Sequence, residues 1–176
     1  MMDELFETLD ESGKPIGMAP RSRVHQKGLW HRAVNIFLFR SDGRLIVQQR
    51  HPHKDVYPDA WDLSVAEHLR PGETYEQAAL RGLREELGIE NVALEHVGGV
   101  VQARLEMPER GIKDYELQQS FRGRFDGELR PDVREVSAVE VVALSDLAVA
   151  FATRPSEFTP WFRETAVRLG FVGRER

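Results

Sequence analysis

The stretch GETYEQAALRGLREELGI, residues 72–89, carries the local signals that decide the fold. Thr74 is placed to cap a helix, because its hydroxyl oxygen can accept a hydrogen bond from the backbone N–H of Gln77 while the Gln77 side chain reaches back. Gly88 is placed to end the helix after Leu87, since glycine readily adopts the left-handed conformation found at helix C-termini. The stretch therefore predicts a helix that begins after Thr74 and ends at Leu87.

Two faces of this helix follow from a rotation of about 100° per residue. The apolar stripe, which we expect to pack inward, consists of Leu80, Leu83 and Leu87. The opposite arc holds Arg81, Gly82, Glu85 and Glu86. Adjacent carboxylates repel one another unless a cation lies among them, and glycine inside a helix costs about 1 kcal/mol relative to alanine. Two interpretations stay open: a solvated face with an ion pair between Arg81 and Glu85, or carboxylates gathered around a divalent cation.

Upstream of the helix the sequence predicts strands. Residues 31–40 and 44–50 are rich in apolar residues suited to strands and are joined by Ser-Asp-Gly, so they predict a β-hairpin. Residues 51–62 contain two prolines and several turn formers and predict a surface loop. A short strand is expected at residues 63–69.

Downstream of the helix we expect strands at residues 92–103 and 117–125 with a loop at 104–115 between them, a further strand at 136–144, and helices at 145–152 and 159–169. The order of strands and helices lacks a regular βαβ alternation. The pattern therefore predicts an α+β sandwich with helices packed on the sheet faces, formed as a single domain over residues 1–176.

Composition excludes several classes of protein. The chain has 176 residues, of which 41% are apolar, and a net charge of −5, which argues against a general nucleic-acid or membrane-surface binder. No stretch approaches the roughly 20 apolar residues that cross a bilayer, and the acidic start MMDELFETLD does not resemble a secretory signal, so we expect a cytoplasmic protein. The chain has no cysteine, so any metal must be held by His, Asp or Glu.

The spacing of charged residues in and before the helix resembles the Nudix box, the loop-helix-loop signature of hydrolases of nucleoside diphosphates linked to another moiety. The family pattern is Gly, five residues, Glu, seven residues, then Arg-Glu-aliphatic-any-Glu-Glu-any-Gly-aliphatic. The matching positions here are Glu73, Arg81, Leu83, Glu85, Glu86, Gly88 and Ile89. Two positions depart from the pattern: Glu67 stands in place of the leading Gly, and Gly82 in place of the Glu after the arginine. The resemblance implies a Nudix-type α/β/α sandwich with a mixed sheet and a loop-helix-loop catalytic motif.

A second resemblance extends from His25 to Trp161. The segments VHQKGLWHRA, LIVQQR, YPDAWDLSVAEH, DYELQQSF and FTPW follow the order found in the isopentenyl-diphosphate isomerase branch of the same superfamily. That branch holds a divalent metal with histidines and acids, and the matching positions are His25, His31, His68, Asp114 and Glu116. The cysteine that protonates the alkene in that branch is Ala66 here, which argues against the isomerase chemistry.

The two resemblances together imply a site for Mg²⁺ or Mn²⁺. The metal ligands they imply are Glu73, Glu85, Glu86, Glu116 and His68. The catalytic residues they imply are Glu85, Glu86 and Glu116, with Arg81 orienting the glutamates. The acid missing at Gly82 must come from elsewhere, and the candidates, in order, are Glu116, Asp114 and Glu67.

Substrate recognition is the part of the site that the sequence describes least. Arg50 and Lys54 are candidates for binding an outer phosphate, and Tyr57 is the aromatic residue most expected to be exposed beside the ligand. The other candidates for an apolar wall, Phe37, Trp61 and Trp161, are expected mostly in the core.

Three functions remain open on the sequence alone. The leading hypothesis is a metal-dependent pyrophosphohydrolase that cleaves phosphoanhydride bonds of nucleoside 5′-di- and triphosphates, acting on a small-molecule nucleotide as a monomer or homodimer. The alternatives are an isopentenyl-diphosphate isomerase-like enzyme, opposed by Ala66, and a catalytically silent nucleotide-binding domain, which Gly82 favours.

Overall fold

The computed structural model describes residues 3–173. The strands are β1 (Leu5–Leu9), β2 (Pro15–Pro20), β3 (Trp30–Phe39), β4 (Leu45–Arg50), β5 (Trp61–Asp62), β6 (Val65–His68), β7 (Leu94–Met107), β8 (Ile112–Arg124) and β9 (Val136–Val142). The helices are α1 (Arg21–Lys27), α2 (Tyr75–Leu87), α3 (Leu144–Thr153) and α4 (Pro160–Arg168), with short 3-10 turns at Pro108–Arg110 and Pro155–Glu157. Within residues 3–173 no helix combines the length and the apolarity needed to cross a membrane.

Strand β3 is the centre of one mixed sheet that contains all nine strands. It runs parallel to β8 along its whole length. It also pairs antiparallel with β6 through residues 33–36 and with β4 at its end. The predicted β-hairpin of β3 and β4 is thus confirmed, and the sheet brings residues from distant parts of the sequence side by side.

The two faces of the sheet pack against different helices, because successive side chains of a strand point to opposite sides. Val34, Ile36 and Leu38 lie in the core that contains the apolar residues of α2. Phe37 and Leu45 lie in the core formed with α3 and α4. The predicted α+β sandwich with helices on both sheet faces is confirmed.

Helix α2 has the predicted ends but a different buried face. Thr74 and Gln77 form the reciprocal capping box, and Gly88 takes the left-handed conformation at the end of the helix. Leu80, expected to pack inward, is 42% exposed, whereas Arg81 is 5% exposed. The prediction of an inward Leu80 was wrong because the sheet and β6 cover a different arc of the helix, which buries part of its charged face.

Two other parts of the chain differ from the sequence prediction. The loop expected at residues 104–115 is wrong: β7 and β8 extend as paired strands to Met107 and Ile112, and the connection is one short turn. Strands β1 and β2 and helix α1 were not predicted, and α1 carries His25 into the site described below.

Candidate functional site

A cavity of about 690 Å³ opens where β3, β6, β8 and α2 meet. Its wall includes His68 and Glu116 on one side and Arg81, Glu85 and Glu86 on another. Cationic side chains from the loops and from α1 complete the wall: Arg21, Arg50, Lys54, Arg70 and Arg134. The cavity thus combines carboxylates and imidazoles with cations that suit a phosphorylated ligand.

Three histidines and two carboxylates form one group beside this wall, in which His68, Asp114 and Glu116 line the cavity and His25 and His31 are buried. His31 Nε2 lies 3.3 Å from Asp114 Oδ1, His25 Nε2 lies 3.6 Å from the same oxygen, and His68 Nε2 lies 3.0 Å from Glu116 Oε1. One ligand atom from each of the three histidines and Asp114 falls within 4.8 Å of the others. We call these five residues the histidine cluster.

The electrostatics of the histidine cluster fit a divalent metal ion. Burial lowers the pKa of His25 and, more strongly, that of His68, so both rings are neutral near pH 7 and able to act as ligands. Burial alone would lower the pKa of His31 as well, but the nearby carboxylates of Asp114 and Glu116 raise it overall.

The unsatisfied atoms of the histidine cluster point to the same conclusion. His31 Nδ1 contacts the carbonyl oxygen of Leu29 at 3.1 Å, which favours the tautomer with its proton on Nδ1 and leaves Nε2 free. His25 Nε2, His31 Nε2 and Asp114 Oδ1 are buried and have no hydrogen-bond partner in the part of the chain that the structure describes. Imidazoles with carboxylates suit Mn²⁺ or Zn²⁺, so the residues present fit a divalent cation.

Arg81 organises the acidic side of the cavity. Its Nε and Nη2 donate to the two oxygens of Glu73 at 2.8 and 2.9 Å, and Nη2 also donates to the His68 carbonyl oxygen at 2.7 Å. Its Nη1 lies 2.9 Å from Glu67 Oε2 and 3.3 Å from Glu85 Oε2. One buried guanidinium therefore contacts three carboxylates, and its role in orienting them for catalysis stays a prediction.

Glu86 lies deeper and lacks such a partner. It is 8% exposed, and its Oε2 accepts a hydrogen bond of 2.7 Å from the Gln48 amide. Burial, with the negative charge of Glu67 nearby, raises the pKa of Glu86 to about 8. Such a group is costly in its ionised form unless a cation approaches it.

Gly82 lies where α2 crosses β6. A Cβ atom at this position would be 2.9 Å from Val65 Cγ1 and 3.2 Å from Glu67 Cβ. These contacts explain why the helix interior has no side chain here. Strand β6 occupies the space.

The structure brings most of the predicted site residues to the cavity. Those at its wall are Arg50, Lys54, His68, Arg81, Glu85, Glu86, Asp114 and Glu116. The lining does not include Glu73, whose oxygens face Arg81, or Tyr57, which packs edge-on against Trp161 at 5.5 Å between ring centroids. Phe37 is fully buried, as expected.

The two predicted phosphate ligands are already engaged in contacts. Arg50 donates to the Val56 carbonyl oxygen and to Asp62, and lies 5.2 Å from the centre of the Trp161 ring. Lys54 pairs with Glu135. Both still line the cavity, so they retain a face toward a ligand.

Some lining residues were missed by the sequence reasoning. Arg21 lines the cavity, and its buried Nε has no hydrogen-bond partner. A predicted helix at residues 21–27 would have identified it, because Arg21 lies one turn before His25. Gln48, which binds Glu86, gives no such signal, since nothing in the strand sequence distinguishes it from Gln49.

A smaller cavity of about 300 Å³ lies between β7 and α4. Asp114, Glu116, Gln118 and Trp161 line both cavities. The smaller cavity also has several polar groups: Gln102, Arg104, Glu164, Thr165 and Arg168. We call it the α4 extension.

Ala66 lies in the wall of the main cavity.

Comparison with known proteins identifies the family. The NUDIX domain matches residues 29–162. The chain is 36% identical over 170 residues to the isopentenyl-diphosphate Delta-isomerase of Burkholderia multivorans, which covers 96% of this chain and 94% of that protein. An isomerase of Streptomyces avermitilis is 36% identical over 159 residues, or 90% of this chain and 79% of that protein.

Solved structures show the same fold. A protein of Deinococcus radiodurans superposes with a TM-score of 0.77 at 24% identity, covering 95% of this chain and 99% of that one. The dihydroneopterin triphosphate pyrophosphohydrolase of E. coli superposes with a TM-score of 0.59 at 19% identity, covering 79% and 95%. At these identities the likeness concerns the fold alone. The NUDIX match and the isomerase relatives establish that the chain belongs to the Nudix superfamily, in its isopentenyl-diphosphate isomerase-like branch, and it lacks the isomerase cysteine.

Proposed function

We propose that this protein is a metal-dependent hydrolase that cleaves phosphoanhydride bonds of nucleoside 5′-di- and triphosphates. The observation that carries the proposal is the α4 extension, which shares Asp114 and Glu116 with the main cavity and is also lined by the polar side chains of Gln102, Arg104, Glu164, Thr165 and Arg168. A nucleoside can satisfy such groups by hydrogen bonding, whereas a hydrocarbon chain would desolvate them without compensation. The proposal treats residues 1–176 as a single catalytic domain.

The cationic side chains would hold the phosphates. Arg50, Lys54 and Arg21 line the main cavity, and Arg21 has a buried Nε with no hydrogen-bond partner. A guanidinium offers donors in a planar fork that matches phosphate oxygens. These side chains would position the phosphate chain between the histidine cluster and Glu86.

The metal would be held by the residues whose free atoms face one another. His25, His31, His68, Asp114 and Glu116 form one such set, and Glu85 and Glu86 offer carboxylates at another wall of the cavity. A divalent cation supplies charge neutralisation for the phosphate oxygens and makes a bound water more acidic. Glu116, and Glu86 once a cation holds it in its ionised form, would accept the proton that water releases.

The nucleoside part of the substrate would lie beside Trp161. This ring donates from Nε1 to Asp62 at 2.9 Å and is covered by Arg50, so its position is fixed. It lines both cavities. A base in the α4 extension would lie near Trp161, with Arg168 and Glu164 available for hydrogen bonds.

An isomerase-like enzyme is the second candidate, because the histidine cluster matches the metal ligands implied by that branch and the relatives named above are isomerases. Ala66 opposes it, since a methyl group cannot donate the proton that alkene isomerisation requires. No cysteine elsewhere in the chain can replace it.

The test is release of phosphate or pyrophosphate from a panel of nucleoside di- and triphosphates, nucleotide sugars and isopentenyl diphosphate, with Mg²⁺, with Mn²⁺ and with chelator. We expect metal-dependent release from a nucleotide, and loss of turnover in Glu86→Gln with the fold intact. Arg168→Gln should raise KM for the nucleotide but not for inorganic tripolyphosphate. Arg154→Gln, an exposed change outside both cavities, is the matched control.

Two results would reject this assignment. Conversion of isopentenyl diphosphate to its isomer, followed by NMR, would support the second candidate. Metal-dependent nucleotide binding without release of any product would indicate a silent binding domain.

A further inference from the structure

Glu67 and Gly82 touch one another across the interface between β6 and α2. Glu67 pairs with Val34 in the sheet, and neighbouring His68 pairs with Ala33, so the two side chains point to opposite faces of β6. His68 joins the histidine cluster, and Glu67 points toward α2. The backbone of α2 lies against this side chain at Gly82, where a Cβ would lie 3.2 Å from Glu67 Cβ and 3.4 Å from its Cγ.

These two positions are also the two at which the chain departs from the Nudix box. The pattern has glycine at the position of Glu67 and glutamate at that of Gly82. Here the glycine and the glutamate have exchanged places, and the structure shows that the exchanged positions are in contact. The carboxylate missing from the helix is thus present on the strand that faces it.

The Glu67 carboxylate lies among the other acids of the cavity wall. Its Oε1 accepts from the backbone N–H of His68 at 2.8 Å, and its Oε2 lies 2.9 Å from Arg81 Nη1. Arg81 also pairs with Glu73 and Glu85, and Glu85 pairs in addition with Arg70, so two guanidinium groups are shared among three carboxylates. Burial raises the pKa of Glu67, and its charge in turn raises that of Glu86.

An unsatisfied oxygen lies at the same place. Gln48 is 3% exposed, and its amide nitrogen binds Glu86 at 2.7 Å. The oxygen of the same amide, Oε1, is buried and has no hydrogen-bond partner among residues 3–173. Amide and carboxylate oxygens are the donors that Mg²⁺ accepts in proteins. The unsatisfied amide oxygen and the surplus of negative charge both indicate that a cation completes this part of the wall.

We propose that Glu67 takes the place of the acid missing at Gly82 and, with Glu86, holds a divalent cation at the α2 side of the cavity, separate from the histidine cluster. The inference rests on the proposed function in so far as the cation serves a phosphorylated substrate. It reverses the order of candidates drawn from the sequence: Glu116 and Asp114 belong to the histidine cluster, and Glu67 alone of the three touches Gly82.

The test measures Mg²⁺ binding by calorimetry in the presence of methylenediphosphonate, a diphosphate analogue that cannot be hydrolysed at its bridge. We expect Glu67→Gln to weaken Mg²⁺ binding at least tenfold, since even residues that only orient ligands commonly contribute about ten- to hundredfold to metal affinity. Glutamine keeps the shape of Glu67 and an acceptor for Arg81, so a purely structural partner of Arg81 would leave Mg²⁺ affinity unchanged. The matched control is Glu76→Gln, an acid of α2 that pairs with His96 outside the cavity.

A second experiment restores the family arrangement. Glu67→Gly alone should weaken Mg²⁺ binding, and Glu67→Gly combined with Gly82→Glu should recover most of it, because the new side chain on α2 enters the space that Glu67 leaves. Val65 must shift slightly, since its Cγ1 lies 2.9 Å from the new Cβ. If the double variant does not fold, the Mg²⁺ affinity of Glu67→Gln tests the inference without it.

Wild-type Mg²⁺ affinity in a folded Glu67→Gln variant would overturn the inference, as would a folded double variant that binds Mg²⁺ no better than Glu67→Gly. The readout is independent of turnover. A protein that hydrolyses no nucleotide but loses Mg²⁺ on the change Glu67→Gln would reject the proposed function and uphold the role of Glu67.

Discussion

Glu86 shows how a single residue can be costly to the fold and useful to the site. Its carboxyl group is buried with an amide as its hydrogen-bond partner and Glu67 nearby, and its pKa is raised from 4.5 to about 8. The folded protein therefore keeps a proton on Glu86 at pH values where the unfolded chain has released it. Rising pH then reduces the free energy of unfolding, from about pH 4.5 until the pH passes the folded pKa.

The raised pKa of Glu86 predicts how the stability of the metal-free protein depends on pH. With chelator present, the stability of the wild type should fall by up to about 1.4 kcal/mol per pH unit between roughly pH 5 and pH 8 because of this group. Glu86→Gln removes the ionisable group, so its stability relative to the wild type should grow steadily over that range. Urea denaturation at several pH values measures the difference, with the exposed Glu90→Gln as control. Parallel profiles for the wild type and Glu86→Gln would contradict the prediction.

At the scale of elements, α2 was predicted well because its signals are local. The capping residues and Gly88 fix its ends within the stretch itself. Its buried face was not predictable in the same way, because it depends on where β6 and the sheet meet the helix. Arg81 is buried by contacts to Glu67, Glu73 and the His68 carbonyl oxygen, which precede it by several residues and reach it only in the folded chain.

The difference between local signals and contacts formed only in the folded chain also explains which parts of the site could be predicted from the sequence. The histidines and acids of the histidine cluster were identified through a family resemblance, and the structure brings them together. The contact between Glu67 and Gly82 was not visible, since it requires the register of β6 against α2. Strands β1 and β2 were missed because exposed residues such as Ile16 and Met18 give them no clear alternation of buried and exposed positions.

The packing of α2 on β6 predicts the effect of a methyl group at Gly82. Alanine should favour the helix by about 1 kcal/mol, but its Cβ would lie 2.9 Å from Val65 Cγ1. Overpacking of this kind costs about 1–3 kcal/mol, so we expect Gly82→Ala to lower stability by about 1 kcal/mol. Gly99→Ala, where no heavy atom lies within 4 Å of the added Cβ, is the control and should change little. An increase in stability of Gly82→Ala in urea denaturation would show that β6 does not constrain this position.

At the scale of the whole molecule, the histidine cluster joins four elements that are far apart in sequence. His25 comes from α1, His31 from β3, His68 from β6, and both acids from β8. A cation bound by these residues connects the amino-terminal helix to the central sheet. It should therefore stabilise the entire fold, because an ion that binds the folded but not the unfolded state shifts the unfolding equilibrium.

The predicted size of this effect depends on pH. At a free Mn²⁺ concentration about 100 times the dissociation constant, the gain is about 2.7 kcal/mol, which for a domain of this size corresponds to a rise in Tm of roughly 5–10 °C. His31 has a raised pKa and must lose its proton when an ion binds, whereas His25 and His68 are already neutral near pH 7. At a fixed Mn²⁺ concentration the rise in Tm should thus be larger at pH 8 than at pH 6.

Thermal unfolding with Mn²⁺ and with chelator checks this at both pH values. His31→Ala should remove most of the Mn²⁺-induced rise in Tm, while His53→Ala, in an exposed turn, should retain it. An equal rise in Tm for the wild type and His31→Ala would mean that the stabilising ion binds elsewhere in the molecule. Glu67→Gln then locates it: if that variant alone loses the rise, the carboxylate side of the cavity, and not the histidine cluster, holds the ion that stabilises the fold.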